Sequence, residues 1–111
     1  MKLKLPILLA LVLLVSAFAV AETWNSVPLV DGHCATLVKG NPDAHTRDCM
    51  LQCQKAGYGV LTSDGTYLKL DKNGNDQAFK LLQQTKQKDH LRVTVTGTRE
   101  GDTIKVQSIT I

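Results

Sequence analysis

Apolar and polar residues alternate in short runs along the C-terminal part of the chain. Apolar side chains occupy every second position from Leu91 to Val95 and again, after polar residues at 99–102, at Ile104 and Val106. This period of two predicts two strands with one buried face each, joined as a β-hairpin. Beyond Val106 the apolar phase shifts across Ser108, which predicts a β-bulge or a barrel bend in the last strand.

Three earlier segments also have the composition of strands. Trp24 to Asp31 is a first-strand candidate, and Pro28 restricts it to a sheet edge, a bulge or a strand end, because proline cannot donate a ladder hydrogen bond. Tyr58 to Thr62 and Thr66 to Leu70 flank the turn residues Ser63-Asp64-Gly65. An Asp-Gly pair between β-prone runs predicts a second hairpin.

A short helix is predicted between the first strand and this hairpin. After the turn residues 40–43, either Asp43 or His45 opens a helical segment from Thr46 to Ala56, and Gly57 has the position of a helix-ending glycine. This segment carries two of the three cysteines of the chain.

A second helix follows the polar residues 71–75. Asn75 or Asp76 is the predicted N-cap, and the stripe of the helix that faces the sheet is formed by Ala78, Phe79, Leu82 and Thr85. The element order is therefore strand, short helix, hairpin, helix, hairpin. Five strands with a helix between the third and the fourth predict a mainly β (α+β) fold, an OB-like partly open five-stranded barrel.

The N-terminal segment has the features of a secretory signal peptide. Lys2 and Lys4 precede an uncharged run from Leu5 to Ala21, which ends in two overlapping Ala-x-Ala sites. The run is shorter than the roughly 20 residues of a membrane-spanning helix. We therefore expect cleavage after Ala21, no stable membrane span afterwards, and a periplasmic or secreted protein. Residues 1–21 are the predicted signal peptide, and residues 22–111 are predicted to form a single OB-like domain.

Cleavage changes the charge of the protein. The whole chain has 13 Lys and Arg against 10 Asp and Glu, and removal of Lys2 and Lys4 reduces this excess to one. A nearly neutral domain lacks the basic surface with which proteins neutralise phosphates, so nucleic acid is not a predicted partner. A domain of this size buries a small core and commonly needs a disulfide or a metal ion.

Candidate chemistry is concentrated in Cys34, His45, Cys49 and Cys53. On a continuous helix the last three are successive i, i+4 neighbours on one face, and the loop that carries Cys34 can close over that face. One interpretation is a disulfide between Cys34 and either Cys49 or Cys53, which an oxidising compartment favours. The choice between these two partners stays open, and one thiol is left over.

The alternative interpretation of these residues is a metal site. Cys34, Cys49, Cys53 and His45 form a Cys3His set, which suits tetrahedral Zn²⁺, and the thiolates also suit Cu⁺. A metal explains the odd number of cysteines, although their spacing differs from that of familiar zinc motifs. A thiol redox protein is the third interpretation, and it lacks the C-x-x-C motif.

Arrangements typical of catalysis, such as Ser/His/Asp, paired carboxylates or a phosphate-binding loop, are not visible in the sequence. We therefore expect a non-enzymatic, disulfide-stabilised binding or structural module without a cofactor. Its partner is an unidentified protein or a small ligand. An extracytoplasmic protein that binds Zn or Cu is the alternative.

Four sequence patterns together resemble a family of small exported bacterial proteins known only as a domain of unknown function. They are Asp31-x-x-Cys34, His45-Thr46-x-x-Cys49-x-x-x-Cys53, Gly65-x-Tyr67-x-x-Leu70 and Val93-x-Val95-x-Gly97-Thr98, with Gly57 between the second and the third. The resemblance spans nearly all of residues 22–111. It implies a single OB-like domain and the same cysteine set, and it implies no activity.

Overall fold

Five β-strands form a closed barrel in the computed structural model, which describes residues 20–111. The strands are β1 (Glu22–Asp31), β2 (Tyr58–Leu61), β3 (Tyr67–Leu70), β4 (Arg92–Glu100) and β5 (Thr103–Thr110). Their order around the barrel is β1-β2-β3-β5-β4, and only the β3–β5 pair is parallel. This arrangement confirms the predicted mainly β, OB-like fold, with the barrel closed where a partly open one was predicted.

Two α-helices accompany the barrel. Helix α1 (Arg47–Gln52) lies between β1 and β2, and α2 (Lys72–Gln84) lies between β3 and β4. Within residues 20–111, neither helix nor any other is long and apolar enough to cross a membrane. The predicted signal peptide falls on residues 1–21, of which 1–19 lie outside the described residues, so its cleavage stays a prediction.

Strand β1 is shared between two neighbours and changes partner at Pro28. Its first part pairs with β4, from Glu22 opposite Gly97 to Pro28 opposite Arg92, and its last three residues pair with β2. The register shifts between Trp24 and Val27. The bulge therefore precedes Pro28, which pairs with Arg92 and lies at the point where β1 changes partner, and not within the bulge.

The C-terminal hairpin contains the predicted bulge. Thr96 of β4 lies opposite Ser108, while the next residue, Gly97, lies opposite Val106, so β5 carries one extra residue between these pairs. An added Cβ at Gly97 would collide with the backbone carbonyl oxygen of Lys105. Glycine at this position lets the two strands approach closely at the irregular step.

Helix α2 begins four residues earlier than predicted. Its N-cap is Asp71, whose side chain accepts a hydrogen bond from the backbone N–H of Gly74, and the predicted caps Asn75 and Asp76 lie inside the helix. Asp71 Oδ1 also accepts from the backbone N–H of Val106, 3.2 Å away. A contact with β5 therefore supports the cap, and this contact is not visible in the local sequence.

The stripe predicted for α2 does face the barrel. Ala78 and Leu82 are fully buried and Phe79 packs partly against the same core, while Thr85 is the C-cap. The core inside the barrel includes Leu29, Met50, Tyr58, Val60, Leu68, Val93, Val95 and Ile104. Helix α2, which connects β3 to β4 along the chain, packs against this core, and side chains fill the barrel interior.

Gly74 is buried where α2 crosses β5. This close contact predicts that a single added methyl group at position 74 lowers the stability of the protein. A Cβ at this position would lie 2.5 Å from Val106 Cγ2 and 2.9 Å from Leu70 Cβ. We expect Gly74→Ala to cost about 1 to 2 kcal/mol in the free energy of unfolding, because overpacking outweighs the gain in helix propensity. Urea unfolding followed by circular dichroism measures this difference.

Gly40 provides the matched control for this substitution. It lies in an exposed loop, and a Cβ there would meet no heavy atom within 4 Å. Gly40→Ala is expected to leave the stability unchanged or to raise it by up to about 1 kcal/mol. Equal losses in the two variants would contradict a close helix–strand contact at Gly74.

Candidate metal centre

The alternation of side chains along β1 brings an acidic residue to the candidate site. Leu29 belongs to the core inside the barrel and Val30 to a second, smaller cluster with Ala35 and Leu61. Because side chains alternate along a strand, Asp31 points to the same side as Leu29. Asp31 ends the strand with an exposed fraction of zero.

The segment that carries His45 and two cysteines is less regular than predicted. Helix α1 is capped by Thr46, whose hydroxyl accepts a hydrogen bond from the backbone N–H of Cys49 at 3.2 Å. His45 therefore precedes the helix, and Cys53 is its C-cap. The predicted caps Asp43 and His45 are wrong, and so is the continuous helix to Ala56, because a separate 3₁₀ turn, Gln54–Ala56, follows the C-cap.

Three of the four predicted site residues nevertheless come together. One ligand atom from each of Cys34, His45 and Cys49 lies within 4.8 Å of the other two. Cys53 is not a member of this group. The thiol of Cys53 still interacts with those of Cys34 and Cys49, and burial together with Asp31 and Cys49 raises its pKa.

Asp31 forms hydrogen bonds with two residues of this group. Its Oδ2 atom lies 2.6 Å from Nε2 of His45, which is itself buried, and its Oδ1 atom accepts a hydrogen bond from the backbone N–H of Cys34 at 2.9 Å. One carboxylate therefore fixes both the imidazole ring and the backbone of the cysteine loop. Sequence analysis missed Asp31 as a site residue. The signal was an acidic residue at a strand position in phase with the buried Leu29.

The contact with Asp31 determines which nitrogen of His45 is available. A ring nitrogen that donates its hydrogen to a carboxylate cannot bind a metal ion at the same time. With Nε2–H directed to Asp31, Nδ1 carries the lone pair. A carboxylate that orients a histidine in this way is a common feature of metal sites, where it fixes the tautomer and raises the basicity of the ligand.

The thiol of Cys34 is a poor nucleophile in this environment. Burial raises the pKa of Cys34 to about 11, and the Asp31 carboxylate and the neighbouring thiols of Cys49 and Cys53 contribute further. Reactive redox cysteines have lowered pKa values and positively charged surroundings. The surroundings of Cys34 are negative, which is the environment that a cation would neutralise.

All three cysteines are free in the structure, and no pair of them is at bonding distance. The sequence-based prediction of a bridge from Cys34 to Cys49 or Cys53 therefore stays a prediction. The sulfur atoms of Cys34 and Cys49 lie within 4.8 Å of each other.

Ion pairing fixes the segment before α1 to the barrel. Arg92 on β4 donates from Nε and Nη2 to the two carboxylate oxygens of Asp43, both at 3.0 Å, and from Nη1 to the carbonyl oxygen of Ser26. The hydrogen bonds from Arg92 lower the pKa of Asp43. The backbone N–H of Arg47 donates to the carbonyl oxygen of Lys88. His45 therefore lies in a segment that is anchored at both ends.

No family model, no curated protein and no solved structure matches the chain. The fold and the side-chain cluster define its class, a small OB-like barrel with a Cys/Cys/His group beside a buried aspartate.

Proposed function

We propose that the protein is a small exported, non-enzymatic module that binds a thiophilic metal ion, Zn²⁺ or Cu⁺, through Cys34, His45 and Cys49, with Cys53 as a fourth ligand. The observation that carries this proposal is the convergence of three donor atoms within 4.8 Å from two separate segments, the loop after β1 and the chain around α1. Two thiolates and an imidazole are a donor set that both ions accept.

The spacing of the donors is compatible with a small contraction around a metal ion. Sulfur atoms bound to the same tetrahedral Zn²⁺ lie about 3.8 Å apart, given Zn–S bonds of roughly 2.3 Å. The donors of Cys34, His45 and Cys49 lie no more than 4.8 Å from one another. The longest separation therefore has to shorten by only about 1 Å, which side-chain rotation of the two half-buried cysteines can supply.

Asp31 contributes to the site without being a ligand. Its hydrogen bond with Nε2 fixes the orientation of the His45 ring, and its bond to the N–H of Cys34 positions the first cysteine. The negative charge of Asp31 also favours a cation nearby. The position of Cys53 at the end of α1, close to the other thiols, supports its role as the fourth ligand and accounts for the odd number of cysteines.

A disulfide-stabilised binding module is the second candidate function. It is supported by the proximity of the Cys34 and Cys49 sulfur atoms. Of the two bridges predicted from the sequence, this proximity favours the one between Cys34 and Cys49. Such a bridge would use two of the ligands, so the disulfide and the metal exclude each other.

Cobalt substitution of the purified, reduced protein tests the metal proposal. We expect one equivalent of Co²⁺ to bind, with thiolate-to-cobalt charge-transfer bands and the intense visible bands of tetrahedral coordination, and Zn²⁺ to displace it. Cys49→Ser is expected to weaken binding by more than the roughly 10- to 100-fold that the loss of an outer partner of a ligand costs. Cys53→Ser tests the fourth ligand through the change in the cobalt spectrum.

His33→Ala is the matched control, because His33 is exposed in the same loop as Cys34. This variant is expected to bind Co²⁺ with unchanged affinity. Absence of binding to the reduced protein, or equal effects of Cys49→Ser and His33→Ala, would reject the metal site. Isolation of the protein with a Cys34–Cys49 bridge and no metal would favour the second candidate.

A further inference from the structure

A cavity of about 500 Å³ opens on the barrel surface beside the cysteine cluster. Its walls come from the loop 32–40, from residues 56–58 and from the hairpin β2–β3. Cys34, His45, Cys49 and Cys53 are not among the described residues that line it. The cavity is thus a separate feature, and its volume falls within the range of about 300 to 1,000 Å³ that is typical of small-molecule sites.

The charged side chains around this cavity all have one sign. Lys39 and Lys69 line it, and no Asp or Glu does so within residues 20–111. The aliphatic stem of Lys39 crosses Gly65, where an added Cβ would lie 2.9 Å from Lys39 Cε. Lys69 lies 3.7 Å from Asp102, and both of these side chains are more than half exposed, so their pairing is weak. Two ammonium groups are therefore available to a ligand.

The wall of the cavity combines the half-buried ring of Tyr67 and the edges of the almost buried Leu61 and Leu70 with the polar side chains of Thr36 and Asn75. Burial raises the pKa of Tyr67 to about 12, with a further contribution from Asp31, so its hydroxyl is a hydrogen-bond donor at neutral pH. Because Asp31 contributes to the raised pKa of Tyr67, its carboxylate disfavours a second negative charge beside the tyrosine hydroxyl. The charged end of an anion is therefore directed to the lysines and its apolar body to Tyr67.

We propose that this cavity binds a small aromatic carboxylate, with its ring against Leu61, Leu70 and Tyr67 and its carboxylate between Lys39 and Lys69. The ligand class follows from the two cations, the ring of Tyr67 and the volume of this open cavity. The site is independent of the metal centre, since none of the proposed metal ligands lines the cavity.

NMR titration of the purified protein with 2-naphthoate and with its neutral analogue 2-naphthamide tests this proposal. We expect naphthoate to bind more tightly, with chemical-shift changes concentrated at the backbone amides of Leu61, Gly65 and Leu70. Lys39→Met and Lys69→Met keep the aliphatic stem and remove the charge. Each is expected to weaken naphthoate binding roughly fivefold and to leave naphthamide binding unchanged.

Lys105→Met is the matched control, because Lys105 is an exposed lysine on β5 outside the cavity. It is expected to leave the binding of both probes unchanged, whereas Thr36→Trp, an exposed lining position filled by a large ring, is expected to abolish both. Equal affinity for the two probes, no binding of either, or an equal effect of Lys105→Met and Lys39→Met would overturn the proposal. Repeating the titration with Cys49→Ser, in which the metal centre is broken, is expected to give the same affinities.

Discussion

Replacement of Asp31 by alanine is expected to lower the free energy of unfolding by about 3 to 5 kcal/mol. Asp31 is fully buried, and its two oxygens bind Nε2 of His45 and the backbone N–H of Cys34. Alanine would leave both donors without a partner away from water, and an unmade buried hydrogen bond costs more than a made one contributes. Against a total stability of about 5 to 15 kcal/mol, this loss is large.

Equilibrium unfolding in urea, under reducing conditions and without metal, measures this loss. Asp31→Asn is expected to cost less, because one amide oxygen can still accept from the Cys34 N–H. Asp102→Ala serves as the control, since the Asp102 side chain is 68 % exposed and its partner Lys69 is 3.7 Å away. This control should stay within about 0.5 kcal/mol of the parent protein. A similarly small change in Asp31→Ala would show that Asp31 does not organise the site.

Removal of the proposed metal ion is the second change for which we expect a large loss of stability. A ligand that binds only the folded state, at a free concentration 1,000 times its dissociation constant, stabilises that state by about 4 kcal/mol. The proposed ligands Cys34, His45 and Cys49 come from separate segments and meet only when the chain is folded. Addition of Zn²⁺ to the reduced protein is therefore expected to raise the unfolding midpoint strongly, and a chelator to reverse this.

The stabilisation of the folded protein by Zn²⁺ should depend on the proposed metal ligands and not on other residues of the loop that carries Cys34. Cys49→Ser is expected to unfold at nearly the same midpoint with and without Zn²⁺, while His33→Ala should respond as the parent protein does. A metal-dependent midpoint in Cys49→Ser equal to that of the parent would place the bound metal elsewhere. Both measurements use thermal unfolding at fixed protein and free metal concentrations.

The strands were predictable because their signals are local. The period of two between Leu91 and Val95 and the Asp64-Gly65 turn placed both hairpins within a few residues, and the phase shift at Ser108 located the bulge of β5. The start of α2 was not predictable in the same way. Asn73 and Gly74 are typical of a turn, but a helix begins there because Asp71 caps it and also accepts a hydrogen bond from the Val106 N–H of β5.

The sequence predicted which residues form the candidate site better than it predicted how the backbone arranges them. Cys34, His45 and Cys49 do meet, although the i, i+4 argument assumed one helix from Thr46 to Ala56. The helix begins after Thr46 because this residue is extended and its hydroxyl caps the first turn. Asp31 was overlooked because an acidic residue at the end of a strand is usually solvated, and its burial depends on His45, fourteen residues further along.

The pairing of β1 has a kinetic consequence for the folding of this chain. Glu22 pairs with Gly97, so the barrel cannot close until nearly the whole chain has been brought together, and contacts of such sequence separation make folding slow. Asp31 pairs with Tyr58, and the cysteines and His45 all lie between these two residues. The proposed metal ligands therefore all lie within the short connection between β1 and β2, whereas the slow step of folding is the pairing of β1 with the distant β4.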